Sequence, residues 1–510
     1  MYKKILSFEH TPIIVLLIVC LIAGVFTFKD YGESWDESMV FDYANYSVQA
    51  YQYILHPQDL QQFPIDLNNY YGPAYFMFTS VSSDLIRVLN PSLSVITVRH
   101  FVYFCTFLIG VLVLYLFSKR WMSKWAAFGV ALLFATQPLM WGHAFINPKD
   151  TPFMVFFLTS VYLGFQMVDA ASDSKWKWLI PAGVFLGLTI SMRVIGPAAG
   201  ALVFLYALLK SPRKIITTFP VYALIAAALT YLTWPYLWKS PIVNFFESVK
   251  LMSRFPYDGQ VLFMGKIYSA NQLPRGYFPT LLGLQLTEPA LIFIVIGFAV
   301  SLWFFIKGKN RDLALLFAAW FILPATWIVL SRGALYDNAR QLLFLWPPLF
   351  IMAGIGIEQL MILLKRPALN AALLAVMILP GVLACVQLHP YEYIYYNSLI
   401  GGVSGAYRKL ELDYWNTSFK ESMEYINGNV AQGSTVMIIG NKQAAVQYAK
   451  PGLSIVYTNK INTSDYYLLS STYGNHDLSH CDNAKIIFSV ERNGGILSDI
   501  KMIPAGQSCE

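Results

Sequence analysis

The 510 residues are 56% hydrophobic and 16% aromatic but only 13% charged, and that charged share is about half the usual one. With a mean hydropathy of +0.50, this excludes an ordinary soluble domain and points to a polytopic membrane protein. The net charge of +7 is no nucleic-acid footprint, because the basic residues stand in small groups between apolar runs instead of on one face. No nucleic-acid partner is expected.

Taken in order, apolar runs near the ~20 residues needed to span a bilayer fall at 11–28, 100–118, 125–141, 152–168, 178–192, 195–209, 215–233, 285–306, 312–330, 341–363 and 368–388. They predict a polytopic α-helical protein with about eleven transmembrane helices. Basic groups separate the runs at Lys3 and Lys4, at Lys119, Arg120 and Lys124, at Lys175 and Lys177, at Lys210, Arg213 and Lys214, at Lys307, Lys309 and Arg311, and at Lys365 and Arg366. These fall on alternate loops, which places those loops and the N terminus in the cytoplasm and the C terminus outside the inner membrane. The short runs 178–192 and 195–209 meet at Arg193; one long helix there would move the later basic groups to the outer side, so charge parity favours two. The first run is not read as a cleaved signal peptide, since an aromatic and acidic stretch follows it in place of a small-residue cleavage site.

That stretch is YGESWDESMVFD, residues 31–42, with Glu33, Asp36, Glu37 and Asp42 around Trp35. A Trp at the end of a span marks the membrane–water boundary, where acids are solvated at modest cost. Glu33 and Asp42 read most simply as a solvated flank. The adjacent pair Asp36 and Glu37 carries more, and neighbouring side chains point in different directions, so only one of the two is expected to face a cavity. The outer loop runs on to Arg99, about 70 residues and too long for a simple connector. Tyr43, Tyr46, Ala50, Tyr53 and Ile54 recur at helical spacing, and Phe78, Val81, Leu85 and Val88 follow the turn Tyr71-Gly72-Pro73. Both pieces predict helices lying in the membrane interface.

The second outer loop reads WGHAFINPKD, residues 141–150. Pro148 ends helical geometry and Pro152 suits a first helical turn, so Lys149 and Asp150 are displayed at the mouth of the bundle. Asp150 reads as a site acid or as an N-terminal capping group; His143 by itself reads as a structural histidine among aromatics. Arg193 is the only charge within a long apolar region, which makes it a functional candidate or a snorkelling anchor. The loop 234–284 carries Arg254, Asp258, Lys266 and Arg275, with 266–268 and 273–277 as groove-lining stretches and no motif of known chemistry. In SRGALYDNARQLLFLWPP, residues 331–348, Arg332 and Arg340 again fall on the outer side, where the guanidinium fork suits phosphate oxygens. Asp337 and Arg340, three apart, can instead form a local pair on one helix face.

After residue 388 the pattern changes. HPYEYIYYNSLIGG leads to Glu411-Leu412-Asp413-Tyr414-Trp415, then to strands at 435–440, 454–457, 466–469 and 486–490 around a helix at 443–448. That alternation predicts a small extracytoplasmic α/β domain, dividing the chain into a transmembrane unit 1–388 and an outer unit 389–510. No Gly-rich nucleotide loop opens a helix there. Cys20, Cys105 and Cys385 lie in apolar runs as small buried hydrophobes, while Cys481 and Cys509 lie in the outer unit, where an oxidising compartment permits a pair.

Several of these blocks are similar to one family. SWDE (34–37) resembles the acidic signature of the first outer loop in GT-C membrane glycosyltransferases, the group of protein O-mannosyltransferases and the lipid A aminoarabinose transferase. HAFINPKDTPF (143–153) resembles the second outer loop of its bacterial polyprenyl-phosphate-sugar transferases. SMRVIGP (191–197), YDNARQLLF (336–344) and HPYEYIYYN (389–397) extend the resemblance over most of the membrane part. It implies a GT-C fold with interfacial helices and an outer C-terminal domain. The implied activity is inverting transfer of a sugar, hexosyl or pentosyl, from a polyprenyl-phosphate carrier to an extracytoplasmic acceptor: a glycolipid such as lipid A, another glycan or a protein. Asp36 is then the base for the acceptor hydroxyl, with Glu37 its nearest competitor and Asp150 positioning acceptor or sugar. Lys149, Arg193 and Arg340 hold the phosphate charge, and His143, Asn147, Arg332, Tyr336 and Asp337 are further candidates. Paired carboxylates suit a divalent metal, although Lys and Arg alone can neutralise the leaving group. The rivals are a transporter or flippase of lipid-linked sugar, which would bind near the midplane within internal repeats, and an assembly protein. Convergence of Asp36, Asp150 and Arg340 separates the enzyme from both.

Overall fold

The computed structural model describes residues 10–59, 67–171, 175–253, 255, 257, 259–331, 333–456, 466–475, 478 and 484–504. Lys3, Lys4, Arg254, Asp258, Arg332, Tyr457, Cys481 and Cys509, invoked above, lie outside the described residues.

From the N terminus the helices are α1 (Thr11–Thr27), α2 (Glu37–Gln49), α3 (Ala74–Leu89), α4 (Val95–Ser118), α5 (Lys124–Ala135), α6 (Pro138–Ile146), α7 (Asp150–Asp169), α8 (Lys175–Ile190), α9 (Pro197–Lys210) and α10 (Phe219–Thr233). Beyond α11 (Pro241–Ser253) and a hairpin of β1 (Gln260–Phe263) and β2 (Lys266–Ser269) come α12 (Tyr277–Gln285), α13 (Glu288–Ile306), α14 (Arg311–Ser331), α15 (Trp346–Leu364) and α16 (Pro367–Leu388). Caps and breakers explain several boundaries. Ser94 and Ser123 accept backbone N–H groups at the starts of α4 and α5, which satisfies otherwise orphaned donors. Pro138 opens α6 after a 63° bend from α5, and α14 contains a π-helical turn at Ala318–Ile322.

Among the described residues six helices are long and apolar enough to cross a membrane, or seven if α5 and α6 make one bent span. By length this is fewer than the about eleven expected. The runs at 11–28, 178–192, 195–209 and 215–233 form helices of 14 to 17 residues, and 125–141 divides between α5 and α6. α8 and α9 are separate helices around the break 191–196. Burial sorts centre from rim: the spanning window of α7 is 78% buried and that of α16 only 17%. Large apolar side chains such as Trp303, Leu379 and Val386 stand exposed on the rim, as lipid-facing helices require. The chain is an integral membrane protein. On α3 the face of Phe78, Val81, Leu85 and Val88 is likewise exposed, while Tyr75 and Phe76 turn into the core.

The C-terminal sheet has the order β4-β3-β5-β7-β6, from β3 (Thr435–Ile439), β4 (Ser454–Val456), β5 (Tyr466–Ser471), β6 (Lys485–Arg492) and β7 (Gly495–Ile503), with α17 (Phe419–Asn429) and α18 (Lys442–Val446). β3 runs parallel to β4 and β5, and β7 antiparallel to β5 and β6. Sequence reading missed α17 and β7. The signal for β7 was the two-residue Asn493-Gly494 link, both at positive φ (47° and 75°), which is hairpin-turn chemistry.

The loop after α1 ties the segment after α16 to the membrane helices through Tyr31 and Asp30. Tyr31 stacks on Phe145 at 4.2 Å and Phe145 on Phe104 at 4.3 Å, pinning the loop after α1 against α4 and α6, while the Tyr31 hydroxyl donates to Glu392 at 2.9 Å. His389 lies 2.9 Å from Asp30 and 2.8 Å from Glu392 through its two ring nitrogens. Burial pushes its pKa down, but the Glu392 and Asp30 carboxylates outweigh burial and hold it above the ordinary value. Stability from this junction is therefore complete below the ordinary histidine pKa and lost as pH rises through the elevated one. The expected result is a melting-temperature deficit of His389→Gln that is larger near about pH 6 than near about pH 9. An equal deficit at both would remove the charged junction.

Candidate active site

The site is built on three backbone breaks. At the first, between α6 and α7, the Asn147 side-chain oxygen accepts the N–H groups of Lys149 (3.0 Å) and Asp150 (2.8 Å), so the turn that Pro148 enforces also fixes both side chains. The Asn147 amide donates to Asp150 at 3.0 Å and to His143 Nδ1 at 3.1 Å. That leaves His143 Nε2 as the protonated nitrogen, donating to the Tyr414 hydroxyl at 3.0 Å. At the second break, between α8 and α9, Arg193 reaches across to Asp150. The Tyr71-Gly72-Pro73 turn lies on this break so closely that a Cβ on Gly72 would stand 2.0 Å from the Ser191 carbonyl oxygen. Only glycine fits, and the turn lays the Tyr71 ring 5.2 Å from the Lys149 ammonium and 5.8 Å from the Arg193 guanidinium.

The third break leads into α15. Asp337, Asn338 and Ala339 all have left-handed backbone, with φ of 50°, 57° and 57°, a conformation that costs a non-glycine residue roughly 1–2 kcal/mol. Such strain persists only where the surrounding structure over-determines it, here immediately before Arg340. Ala339→Gly is expected to raise the melting temperature by relieving part of that cost while lowering activity through a looser Arg340. A rise in both would show that the strain positions nothing.

Arg340 is the hub. Its Nη1 donates to Asp150 at 2.8 Å and its Nε to Asp337 at 3.0 Å, while Nη2 lies 3.1 Å from Asp36. Its flat face rests 4.2 Å from the Trp415 ring. Lys149 stands 3.5 Å from Asp36. Lys149, Arg193 and Arg340 thus balance Asp36, Asp150 and Asp337, all nearly buried, and unpaired ions there would be costly. The two acids differ in how they are held. Asp150 is bonded by Arg193, Arg340 and Asn147, whereas Asp36 Oδ2 has, among the described residues, ionic contacts and no aligned hydrogen bond. Burial pushes the Asp36 pKa up, but Lys149 and Arg340 outweigh it and hold the carboxyl below its usual range, so it stands ionised.

The positions singled out in the sequence separate accordingly. Asp36, Lys149, Asp150, Arg193, Asp337 and Arg340 come together. Arg340 makes the local pair with Asp337 and the long-range pairs at once. Asp150 gives no side-chain cap to α7 and is an ion-pair partner instead. Glu37 faces the other way, accepting the Ser34 N–H at 2.7 Å beside His100 at 3.1 Å. His143 and Asn147 join the cluster to Tyr414, and Tyr336 lies beside Arg340, stacked on Tyr257 at 4.0 Å. Lys266 and Ile267, expected to line a groove, are exposed on β2. Sequence reasoning gave no role to Tyr71, Trp415 or Tyr473, whose hydroxyl donates to Asp337 at 3.0 Å; aromatic partners of cations carry no spacing signal. Behind Asp337, burial and then the Asp337 charge raise the Glu411 pKa well above its usual range. Among the described residues no group of three or more His, Cys, Asp or Glu side chains is placed to hold a metal. The site carboxylates are turned instead to the chain's own cations.

Residues 18–235 match the model of the family described as dolichyl-phosphate-mannose-protein mannosyltransferase. No curated protein sequence matches the chain. Among solved structures, ArnT from Cupriavidus metallidurans bound to undecaprenyl phosphate matches at 14% identity and a TM-score of 0.54, over 96% of this chain and 97% of that one. Apo ArnT gives 0.53. The oligosaccharyltransferase AglB from Archaeoglobus fulgidus, in complex with an inhibitory peptide and a dolichol-phosphate, matches at 13% identity and a TM-score of 0.50, over 94% of this chain and 70% of that one. The fold is shared over nearly the full length, and the loop after α1 that carries Asp36 and the turn that carries Lys149 and Asp150 both lie in the segment the family model covers. Residues 18–235 are thus similar to a family of membrane mannosyltransferases, and nearly the whole chain shares the fold of ArnT and AglB.

Proposed function

We propose that this protein transfers a sugar from a polyprenyl-phosphate carrier to an acceptor on the outer side of the inner membrane, inverting the anomeric centre in one displacement. The observation that carries this reading is the gathering of Lys149, Arg193 and Arg340 with Asp36 and Asp150 at one end of the bundle. Phosphate oxygens of the donor take the place of Asp36 against Lys149 and Arg340, and this frees Asp36 to accept the proton of the acceptor hydroxyl. As the sugar leaves, charge growing on the phosphate is held by the same cations. Asp150, tied to both arginines, keeps them aimed. The structures of ArnT with undecaprenyl phosphate and of AglB with dolichol-phosphate support a carrier of this class. The acceptor is a glycolipid, glycan or protein of the envelope, approached from the outer unit 389–510. A transporter reading gains nothing from the cluster, which sits at helix ends and not at the midplane.

Mass spectrometry of envelope glycolipids, glycoproteins and polyprenyl-phosphate sugars, with and without the gene, tests the reading. One glycoform should disappear from the envelope while its carrier-linked sugar accumulates. Unchanged carrier and glycan pools would overturn the assignment. The proposed orientation has its own check: a reporter active only in the cytoplasm, fused after Glu510, should be silent.

A further inference from the structure

The end of the bundle opposite the ion cluster carries an apolar groove with a basic rim. α7 runs from Asp150 in the cluster to Asp169 at the far end, where Asp169 meets Arg120 and Arg120 lies 3.6 Å from Asp312. Arg311, at the start of α14, belongs to that far end. α13 and α15 pack so closely at Gly297 that a Cβ there would stand 1.7 Å from the Met352 carbonyl oxygen. Beside this crossing a cavity of about 450 Å³ opens between α13 and α14. Phe298, Ser301, Leu302 and Phe305 line it from one face of α13, Leu209 from α9, and Arg311 stands among the lining residues of α14. The π-helical turn Ala318–Ile322 borders it, and such turns gather at functional sites.

Two observations say what fills it. The first is charge. Arg311 is exposed and forms no ion pair among the described residues, and Lys210 and Lys307 are exposed at the adjoining ends of α9 and α13. The second is Ser301, 8% exposed among the lining residues, whose hydroxyl is enclosed beside the groove and has no hydrogen-bond partner among the described residues. A buried hydroxyl in an apolar setting needs an acceptor. It lies five residues from the end of α13, about 8 Å below the rim at 1.5 Å per residue. A ligand that satisfies the whole groove has an anionic head, an oxygen acceptor a short way below it and an apolar chain.

We propose that the groove binds an anionic glycerophospholipid of the leaflet opposite the ion cluster. Its phosphate lies at Arg311, the Ser301 hydroxyl turns from its enclosed position to donate to a glycerol ester carbonyl, and one acyl chain lies along Phe298, Leu302 and Phe305. A polyprenyl phosphate meets the charge and the apolar wall but has no ester carbonyl below its phosphate for Ser301. The site is therefore distinct from that of the donor.

The test is native mass spectrometry of the purified full-length protein titrated with dioleoyl-phosphatidylglycerol, dioleoyl-phosphatidylcholine and a polyprenyl phosphate. Phosphatidylglycerol should be retained over phosphatidylcholine, and Arg311→Gln, an exposed substitution, should cut that preference about fivefold, the worth of one basic residue near an anionic lipid. Ser301→Val should weaken both phospholipids and leave polyprenyl phosphate retention unchanged. Leu302→Trp, which fills the groove from an exposed position, should displace phosphatidylglycerol while the melting temperature holds. Equal retention of the two phospholipids overturns the proposal. So does a preference untouched by Arg311→Gln and Leu302→Trp, or loss of polyprenyl phosphate in place of phosphatidylglycerol from those variants.

Discussion

Asp36→Asn is expected to lower turnover by about 10²–10⁴-fold, the usual worth of a general base, with donor binding preserved. Asn keeps the size of the side chain and removes only the basic oxygen. Asp36 makes ionic contacts to Lys149 and Arg340 without aligned hydrogen bonds, so little packing is lost. Two controls sharpen the measurement. Glu37→Gln, whose carboxylate is turned to Ser34 and His100, should leave most of the turnover. The pH profile should split as well: in the free enzyme burial and the two cations leave Asp36 below the usual carboxylate range, so kcat/KM should keep its activity far down the acid side. A bound donor phosphate draws off Lys149 and Arg340, which moves the acid limb of kcat upward. Transfer by purified Asp36→Asn at a near-normal rate would remove Asp36 from the mechanism, and coincident acid limbs would remove the exchange of carboxylate for phosphate. The same pKa shift has a stability sign: its contribution is present above the ordinary carboxylate pKa and lost as pH falls through the lowered one.

How far the sequence carried this site follows from which signals are local. Pro148 and Pro152 around Lys149 and Asp150 fixed a break in the chain, and the break is where those side chains are presented. Arg193 was visible because an isolated charge in an apolar run is costly, and it emerged at the break between α8 and α9. Adjacency alone said that Asp36 and Glu37 diverge; it could not say which one meets the cations, since His100 and Arg340 are distant in sequence. Local spacing also set a pair of Asp337 with Arg340 against long-range roles for Arg340, whereas a guanidinium offers donors enough for several carboxylates together. Trp415 and Tyr473 stayed out of reach because a ring over a guanidinium, or a hydroxyl on a carboxylate, leaves no periodic trace. Helix bounds were hidden for a related reason: runs such as 195–209 are apolar throughout, yet Pro197 opens the helix and Ser211 closes it after 14 residues.

Arg340→Gln is expected to be the most damaging single change in the protein. It removes the one group that touches Asp36, Asp150 and Asp337 together and leaves three nearly buried carboxylates to Lys149 and Arg193. Breaking a buried ion pair on one side costs about 3–5 kcal/mol, a large fraction of the about 5–15 kcal/mol that holds an average protein folded. Because a poorly folded variant would say little about phosphate, the informative comparison is with Arg340→Lys. Lysine restores the charge, so stability should largely return, but a single ammonium lacks the planar fork and cannot bridge the three acids at once. Polyprenyl-phosphate binding should therefore stay weak and the rate low in a folded protein. The double variant Arg340→Gln with Asp150→Asn tests the coupling directly, since neutralising both partners should cost less than the sum of the single changes. Thermal unfolding and polyprenyl-phosphate binding of these variants are the measurements. An Arg340→Gln protein as stable as wild type, or an Arg340→Lys protein that binds the carrier and turns over normally, would show that the fork of Arg340 is not what gathers the site.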